Sequence, residues 1–128
     1  MSKPKTIAFD LDDVICSRPS GVEHFGINKY DFCVPDKEVV ELVNQLYADG
    51  NTIVIYTARG MSQCEGKIDK VYELLYDKTV NCLKNWNVNY HELVMGKIHY
   101  DILIDDKCIN SYGINKQTID NFLFGEKV

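Results

Sequence analysis

The N-terminal part of the chain holds an apolar segment, residues 6–9, that runs directly into Asp10, Asp12 and Asp13. The continuous apolar run predicts a buried strand over residues 5–10. Carboxylates a few ångströms apart at the end of such a strand repel one another unless a cation or a shared proton lies among them. The chain must therefore fold so that positive charge reaches this strand end, and this pattern favours a divalent metal site.

Apolar strands alternate with amphipathic helices along the rest of the chain. Apolar residues at helical spacing predict a helix that has Asp36 as its N-cap and ends at Gly50. The β-branched run over residues 52–56 predicts a second buried strand. The remaining predicted elements are a helix over about 70–86, a weak strand over 92–95, a stronger strand over 101–104 and a short helix over 117–123.

This alternation predicts an α/β fold in which a parallel sheet is covered by helices on both faces. In such folds ligands bind beyond the carboxyl ends of the strands. The length of 128 residues and the apolar fraction of 45% predict one domain that spans residues 1–128.

Composition and charge argue against several classes of protein. The net charge is −5 and the lysines are dispersed, so no nucleic-acid partner is expected. The N-terminus does not resemble a signal peptide, and no apolar run is long enough for a membrane span. The five cysteines include no CxxC pair, which predicts neither a disulfide framework nor a zinc site. A reducing cytoplasm is the compartment that we expect.

Further polar side chains follow the later predicted strands. Thr57 comes after the second strand, Lys97 after the third, and Asp105 and Asp106 after the fourth. Phosphoryl transfer needs such a set, because one carboxylate can attack phosphorus and a second acid can move the proton. Carboxylate oxygens bind Mg²⁺, and a hydroxyl and an ammonium group hold the remaining phosphate oxygens.

The segments FDLDDV, IVIYT, GK and ILIDD follow one another in this order within residues 7–106. They resemble the four motifs of the haloacid-dehalogenase-like phosphatase superfamily. The longer stretches IVIYTARGM, WNVNYHELVMGK and YDILIDDK are similar to small capless members linked to capsule and surface-polysaccharide biosynthesis. The resemblance implies a Rossmann-like, three-layer α/β/α fold with a mainly parallel sheet and no large cap domain.

The same resemblance implies a Mg²⁺-dependent phosphatase that works through an aspartyl-phosphate. Asp10 would be the nucleophile and a metal ligand. Asp12 would be the general acid and base and would give its backbone carbonyl to Mg²⁺. Thr57 would bond a phosphate oxygen, and Lys97 would hold both Asp10 and the phosphate.

The resemblance also implies that Asp105 ligates Mg²⁺ directly. Asp106 would either contact a metal ligand without binding the ion or bind the ion through a water molecule. Asp13 stands where the family usually has a small residue, and we expect it to be a loop or cap acid outside the chemistry. Arg59 either contacts the non-phosphate part of the substrate or caps a loop, and both interpretations remain open at this point.

No folded cap fits within the loop over residues 17–35, because an independent domain usually needs about 50 residues. We therefore expect an open site, or one closed by this loop or by a neighbouring subunit of a homo-oligomer. Arg18, Tyr30 and Phe32 are the candidate loop contacts. An open site suits a bulky phosphorylated sugar, a nucleotide-linked precursor or a phosphorylated macromolecule. The partner that we expect is a small-molecule substrate, either a phosphorylated sugar or a capsule or surface-polysaccharide precursor.

Two other classes of protein compete with the enzyme. A response-regulator receiver also surrounds a parallel sheet with acids, a hydroxyl and a lysine, but its phosphoacceptor aspartate should end the third strand. The candidate position reads TARG, which contains no aspartate. An inactive homologue that only binds phosphate is the other alternative, although all four motifs keep their reactive side chains.

Overall fold

The structure is a computed structural model, and it describes residues 3–125. Within this range the strands are β1 (Thr6–Phe9), β2 (Cys16–Ser17), β3 (Val34–Pro35), β4 (Thr52–Thr57) and β5 (Glu92–Met95). The α-helices are α1 (Lys37–Ala48), α2 (Ile68–Asn85) and α3 (Lys116–Phe124). A 3₁₀ segment, Glu23–Phe32, connects β2 to β3 and is kinked at Gly26.

Helix α1 begins and ends where its sequence signals predict. The Asp36 carboxylate accepts hydrogen bonds from the backbone N–H groups of Glu38 and Val39 at 3.1 and 3.2 Å. These bonds satisfy donors that have no partner inside the helix. Beyond the last turn, Gly50 has a φ of +96°, a left-handed conformation that glycine adopts without strain.

The central sheet is parallel and has the strand order β1-β4-β5. Both crossovers advance in the same direction across the sheet, so right-handed connections place α1 and α2 on one face. The strand residues of that face are buried with the apolar stripes of both helices. This core contains Phe9, Ile53, Ile55, Leu93 and Met95 from the strands, Val43 and Leu46 from α1, and Val71, Leu75 and Leu83 from α2.

The opposite face of the sheet is only partly covered. Ala8 is exposed and Tyr56 keeps 39% of its surface accessible, whereas Ile119 of α3 is buried. A cavity of about 540 Å³ lies between this face, α3 and the segment over residues 97–111. The fold is therefore the predicted three-layer α/β/α arrangement, with an opening between the sheet and its third layer.

The strand predicted over residues 101–104 does not form, and that prediction is wrong. No strand is assigned there, and Ile102 and Ile104 are 76% and 89% exposed. Strand structure requires a partner edge to accept its backbone hydrogen bonds, which an apolar run alone does not supply. Leu103 and the β1 residues line the same cavity, and the sheet contains no strand from this segment.

The described residues contain no cap domain. The loop predicted over residues 17–35 instead forms the 3₁₀ segment and a short antiparallel pair in which Cys16 lies opposite Pro35. No helix in the range 3–125 is long and apolar enough to cross a membrane.

Replacement of Gly60 by alanine should destabilise the fold more than the same change at Gly50. Both residues have positive φ, at +81° and +96°, so the backbone strain of the two substitutions is matched. A Cβ at position 60 would overlap Leu75 Cδ1 in the buried core, whereas position 50 opens into free space. We expect Gly60→Ala to lower the free energy of unfolding by about 1–3 kcal/mol more than Gly50→Ala in urea titrations. Equal losses would contradict this packing.

Candidate functional site

Asp10 and Lys97 meet at the carboxyl end of the sheet. The Asp10 Oδ1 atom accepts a hydrogen bond from the Leu11 backbone N–H at 2.8 Å, and Oδ2 lies 3.7 Å from Lys97 Nζ. Both residues line the 540 Å³ cavity. The structure therefore places the predicted nucleophile and the predicted lysine together on one accessible surface.

The backbone after β5 fixes the position of Lys97. Its N–H donates to the Thr57 carbonyl at 3.1 Å, which ties the chain two residues beyond β5 to the end of β4. The ammonium group lies 5.5 Å from the centre of the Tyr56 ring and 5.3 Å from that of Tyr100. These rings attract the cation and form aromatic walls beside it.

Asp105 lines the same cavity as Asp10 and Lys97. Its Oδ1 atom accepts a hydrogen bond from the Lys107 backbone N–H at 3.0 Å, and the side chain is exposed. Asp106 is also exposed, but it is not among the residues that line the cavity. Of the predicted metal ligands, Asp10 and Asp105 thus present carboxylates to a common space.

The carboxylate of Asp12 is bound from inside the protein by Arg59. The guanidinium donates from Nε to Oδ2 at 3.0 Å and from Nη2 to Oδ1 at 2.8 Å, which is a bidentate pair. Arg18 approaches Oδ1 from the loop side at 3.2 Å. Because the Arg59 side chain is 1% exposed, it is directed into the protein and not into the cavity.

Burial and nearby charges shift the pKa values of the two predicted catalytic acids, Asp10 and Asp12, in opposite directions. Burial raises the pKa of Asp10, and the nearby Lys97 charge offsets only part of this effect. Burial acts in the same direction on Asp12, but the hydrogen bonds and charge of Arg59, aided by Arg18, outweigh it and hold the pKa of Asp12 below its ordinary value. Asp12 is consequently ionised at neutral pH. For Asp10, the nearby positive charge is too small to cancel the rise in pKa that burial causes.

The turn after β4 connects Thr57 to the buried arginine. The Thr57 Oγ1 atom accepts a hydrogen bond from the Arg59 backbone N–H at 3.0 Å, and the residue is buried. A hydroxyl that accepts one bond still has a hydrogen to donate. Thr57 does not line the cavity, so its predicted bond to a phosphate oxygen stays a prediction.

Thr79, which the sequence did not assign to the site, and Tyr30, which it assigned to the substrate, hold the guanidinium in place. Thr79 Oγ1 lies 3.4 Å from Arg59 Nη1 and donates to the Leu75 carbonyl at 2.8 Å. The ring of Tyr30 lies 4.6 Å from Arg59 Cζ, and its hydroxyl accepts a bond from the Gly60 N–H at 3.0 Å. Tyr30 was predicted as a loop contact to substrate, but it is buried against the arginine. A threonine within the apolar stripe of α2 was the sequence signal for Thr79.

Two thiols complete the surroundings of Asp12. Cys16 and Cys33 donate to Asp12 Oδ1 at 3.6 and 3.7 Å, and Arg59 Nη2 lies 3.7 and 3.4 Å from the two sulfurs. Hydrogen bonding to Cys33, followed by burial, raises the pKa of Cys16. Hydrogen bonding from Cys16 and the charge of Arg59 lower the pKa of Cys33, although burial opposes them.

A cation does not fit among these thiols. The ligand atoms of Asp12, Cys16 and Cys33 lie within 4.8 Å of one another, which is close enough for a shared metal. The Arg59 guanidinium is within hydrogen-bonding distance of all three and already supplies the positive charge. Mg²⁺ also prefers oxygen ligands to sulfur. The Asp10 and Asp105 carboxylates match that preference, and the raised pKa of Asp10 marks a place where positive charge is lacking.

Comparisons with known proteins identify a matching family and a similar structure. The chain matches the family described as polynucleotide kinase 3 phosphatase over residues 5–99, a range that contains Asp10, Asp12, Arg59 and Lys97. The crystal structure of a protein from Vibrio cholerae is similar, with a TM-score of 0.76 and 26% identity over 96% of this chain and 99% of that one. A search of curated proteins gave no match.

Loss of the fully buried guanidinium of Arg59 should destabilise the protein more than loss of the partly exposed one of Arg18. Arg59→Ala leaves the Asp12 carboxylate desolvated with only Arg18 for charge, and we expect a loss of about 3 kcal/mol in unfolding free energy. Arg18→Ala removes a cation whose side chain is 18% exposed, and its expected loss is about 1 kcal/mol or less. Denaturant titrations of the two variants measure the difference. Losses of equal size would show that Arg59 is not the main partner of Asp12.

Proposed function

The chain belongs to the polynucleotide kinase 3 phosphatase family, and from this membership we propose that it is a Mg²⁺-dependent phosphomonoesterase that uses Asp10 as nucleophile. This family and the motifs in the sequence both indicate a phosphatase fold of the haloacid-dehalogenase type. The observation that carries the proposal is the contact between Asp10 and Lys97 in a cavity that Asp105 also lines. In the proposed roles, Asp10 is the nucleophile, Lys97 is a cation that binds phosphate, and Asp105 is a second carboxylate.

In the proposed reaction an Asp10 oxygen attacks phosphorus. A bond forms between this oxygen and phosphorus as the ester bond to the leaving alcohol breaks, which gives an aspartyl-phosphate. The Leu11 N–H at Oδ1 and the Lys97 ammonium at Oδ2 hold the carboxylate in one orientation before attack. Water then attacks the phosphorus, releases inorganic phosphate and regenerates Asp10.

Asp12 is the proposed carrier of the proton in both halves of the reaction. Its lowered pKa suits the second half, in which an ionised carboxylate accepts a proton from the attacking water. The first half requires a protonated Asp12 that donates to the leaving oxygen. A bound phosphate dianion favours that form, because a neighbouring negative charge raises the pKa of a carboxyl group.

The remaining groups of the site bind the phosphate and its cation. Lys97 neutralises the phosphate oxygens, and the Thr57 hydroxyl donates to one of them. Asp10, the backbone carbonyl of Asp12 and Asp105 would hold Mg²⁺, with Asp106 acting through water. When bound, the ion supplies positive charge that keeps Asp10 ionised and offsets the charge of the phosphate.

The substrate that we propose is a phosphorylated sugar or a surface-polysaccharide precursor. A small ligand fits an open cavity of about 540 Å³ whose lining includes Tyr56, Tyr100 and Lys97. A phosphorylated polynucleotide end is the second candidate, and the family described as polynucleotide kinase 3 phosphatase is the observation that favours it. The net charge of −5 opposes a polyanion, which is why this candidate ranks second.

Asp10→Asn should abolish Mg²⁺-dependent release of phosphate from an aryl phosphate, because an amide cannot attack phosphorus. We expect a loss of about 10³-fold or more, with the fold retained by circular dichroism. Asp13→Asn is the matched control, because Asp13 is exposed at a φ of +67°, which asparagine tolerates. Its activity should stay within about twofold of the parent. Full activity in Asp10→Asn would overturn the nucleophile, and inactivity of the parent with Mg²⁺ would favour a phosphate-binding or receiver-like module.

A comparison of substrates separates the two candidates. At low ionic strength we expect kcat/KM for a set of phosphorylated sugars to exceed that for a 3′-phosphorylated oligonucleotide by about tenfold or more, because the acidic protein repels the longer polyanion. Phosphate release measured by a colorimetric assay gives both values under one buffer. A preference for the oligonucleotide would replace the sugar with the second candidate.

A further inference from the structure

Cys16 and Cys33 lie side by side at the edge of the candidate site. Cys16 is in β2 opposite Pro35 of β3, and Cys33 precedes β3 by one residue. Residues 33 and 35 alternate onto the same face of the short antiparallel pair, so the two thiols are diagonal neighbours there. Their sulfur atoms and an Asp12 carboxylate oxygen lie within 4.8 Å of one another.

The two thiols differ in their access to solvent. Cys16 is buried, whereas Cys33 is partly exposed in the loop that enters β3. Arg59 Nη2 donates to Cys33 Sγ at 3.4 Å, and a guanidinium beside a sulfur stabilises negative charge on it. An accessible, activated sulfur next to a buried one is the arrangement of a reactive thiol and its resolving partner.

We propose that Cys33 and Cys16 form a reversible disulfide when the protein meets a hydroperoxide. In the first step the Cys33 sulfur attacks the peroxide oxygen, the O–O bond breaks, and a sulfenic acid and one water or alcohol result. In the second step the Cys16 sulfur attacks the sulfenic sulfur, an S–S bond forms, and the hydroxyl leaves as water with the Cys16 proton. The peroxide is reduced by two electrons and the two thiols are oxidised by two.

The geometry allows this closure with a local movement. A disulfide needs its sulfurs about 2 Å apart, so the thiols must approach from their separation of at most 4.8 Å. Cys33 lies outside the paired strand residues, and its backbone N–H makes a long bond of 3.4 Å to the Tyr30 carbonyl. This end of the loop can shift toward Cys16 without breaking the central sheet.

The consequence for activity rests on the proposed function. Oxidation removes both S–H donors from Asp12 Oδ1 and draws the loop end toward β2, so the proton-carrying carboxylate changes its position. A displacement of about 1 Å in a reacting group can cost up to about 10²-fold in rate. Disulfide formation should therefore lower phosphatase activity by about tenfold or more, and a dithiol should restore it.

Peptide mapping of the native, full-length protein tests the site without reference to activity. Trypsin leaves Cys16 in the fragment 6–29 and Cys33 in the fragment 30–37, because the bond between Arg18 and Pro19 resists cleavage. After brief treatment with hydrogen peroxide and alkylation of free thiols, we expect these fragments to be joined, with a mass lower by two hydrogens. Cys64, Cys82 and Cys108 should be alkylated. Absence of the 16–33 link, while both thiols are recovered alkylated, overturns the proposal.

Activity before and after oxidation completes the test. The ratio of oxidised to reduced activity should fall by about tenfold or more in the parent and in Cys108→Ser, which removes an exposed thiol distant from this pair in sequence. Cys33→Ser should keep a ratio near one. A parent that forms the link and keeps its full activity would overturn the regulatory consequence. A parent with no phosphatase activity before oxidation would count against the proposed function, and the peptide map would still decide the oxidation site.

Discussion

The bidentate bond between Arg59 and Asp12 connects the strand end that carries the acids to the turn after β4. Parallel pairing of β1 with β4 brings the two segments together, and the guanidinium then reaches Asp12 from the core side. Thr79 and the ring of Tyr30 hold the same guanidinium, so α2 and the loop before β3 are fixed by this one side chain. Much of the structure around the site therefore depends on a single buried cation.

This bond also gives the neighbouring carboxylates different properties. Asp12 receives positive charge from the protein interior, while Asp10 faces a cavity where the charge of Lys97 and the Leu11 N–H offset only part of the effect of burial on its pKa. Environments that push the pKa values of two nearby acids apart are a common basis for dividing catalytic roles between them. A divalent cation would supply the positive charge that Asp10 lacks. It would also be attracted by the second carboxylate that lines the cavity, Asp105.

The uneven coverage of the sheet explains why the site is open. Right-handed crossovers in one direction place α1 and α2 on the same face, and this face carries the core. Within residues 3–125, the opposite face is covered by α3 and the segment over residues 97–111, with the cavity between them and the sheet. The same face that lacks full cover thus provides the open space beside Asp10.

Local patterns in the sequence determined the strand over residues 6–9, the helix capped by Asp36 and the order of polar groups after the strands, because alternation, capping and turn chemistry act over a few residues. They predicted a strand over residues 101–104 that does not form, since pairing needs a partner edge that no local pattern specifies. Arg59 was an open choice in the sequence, and only the tertiary structure decided that its guanidinium turns inward to Asp12. Contacts between residues separated by tens of positions, such as those of Arg59 with Asp12, Thr79 and the thiols, arise from packing in three dimensions and are not written in any short segment.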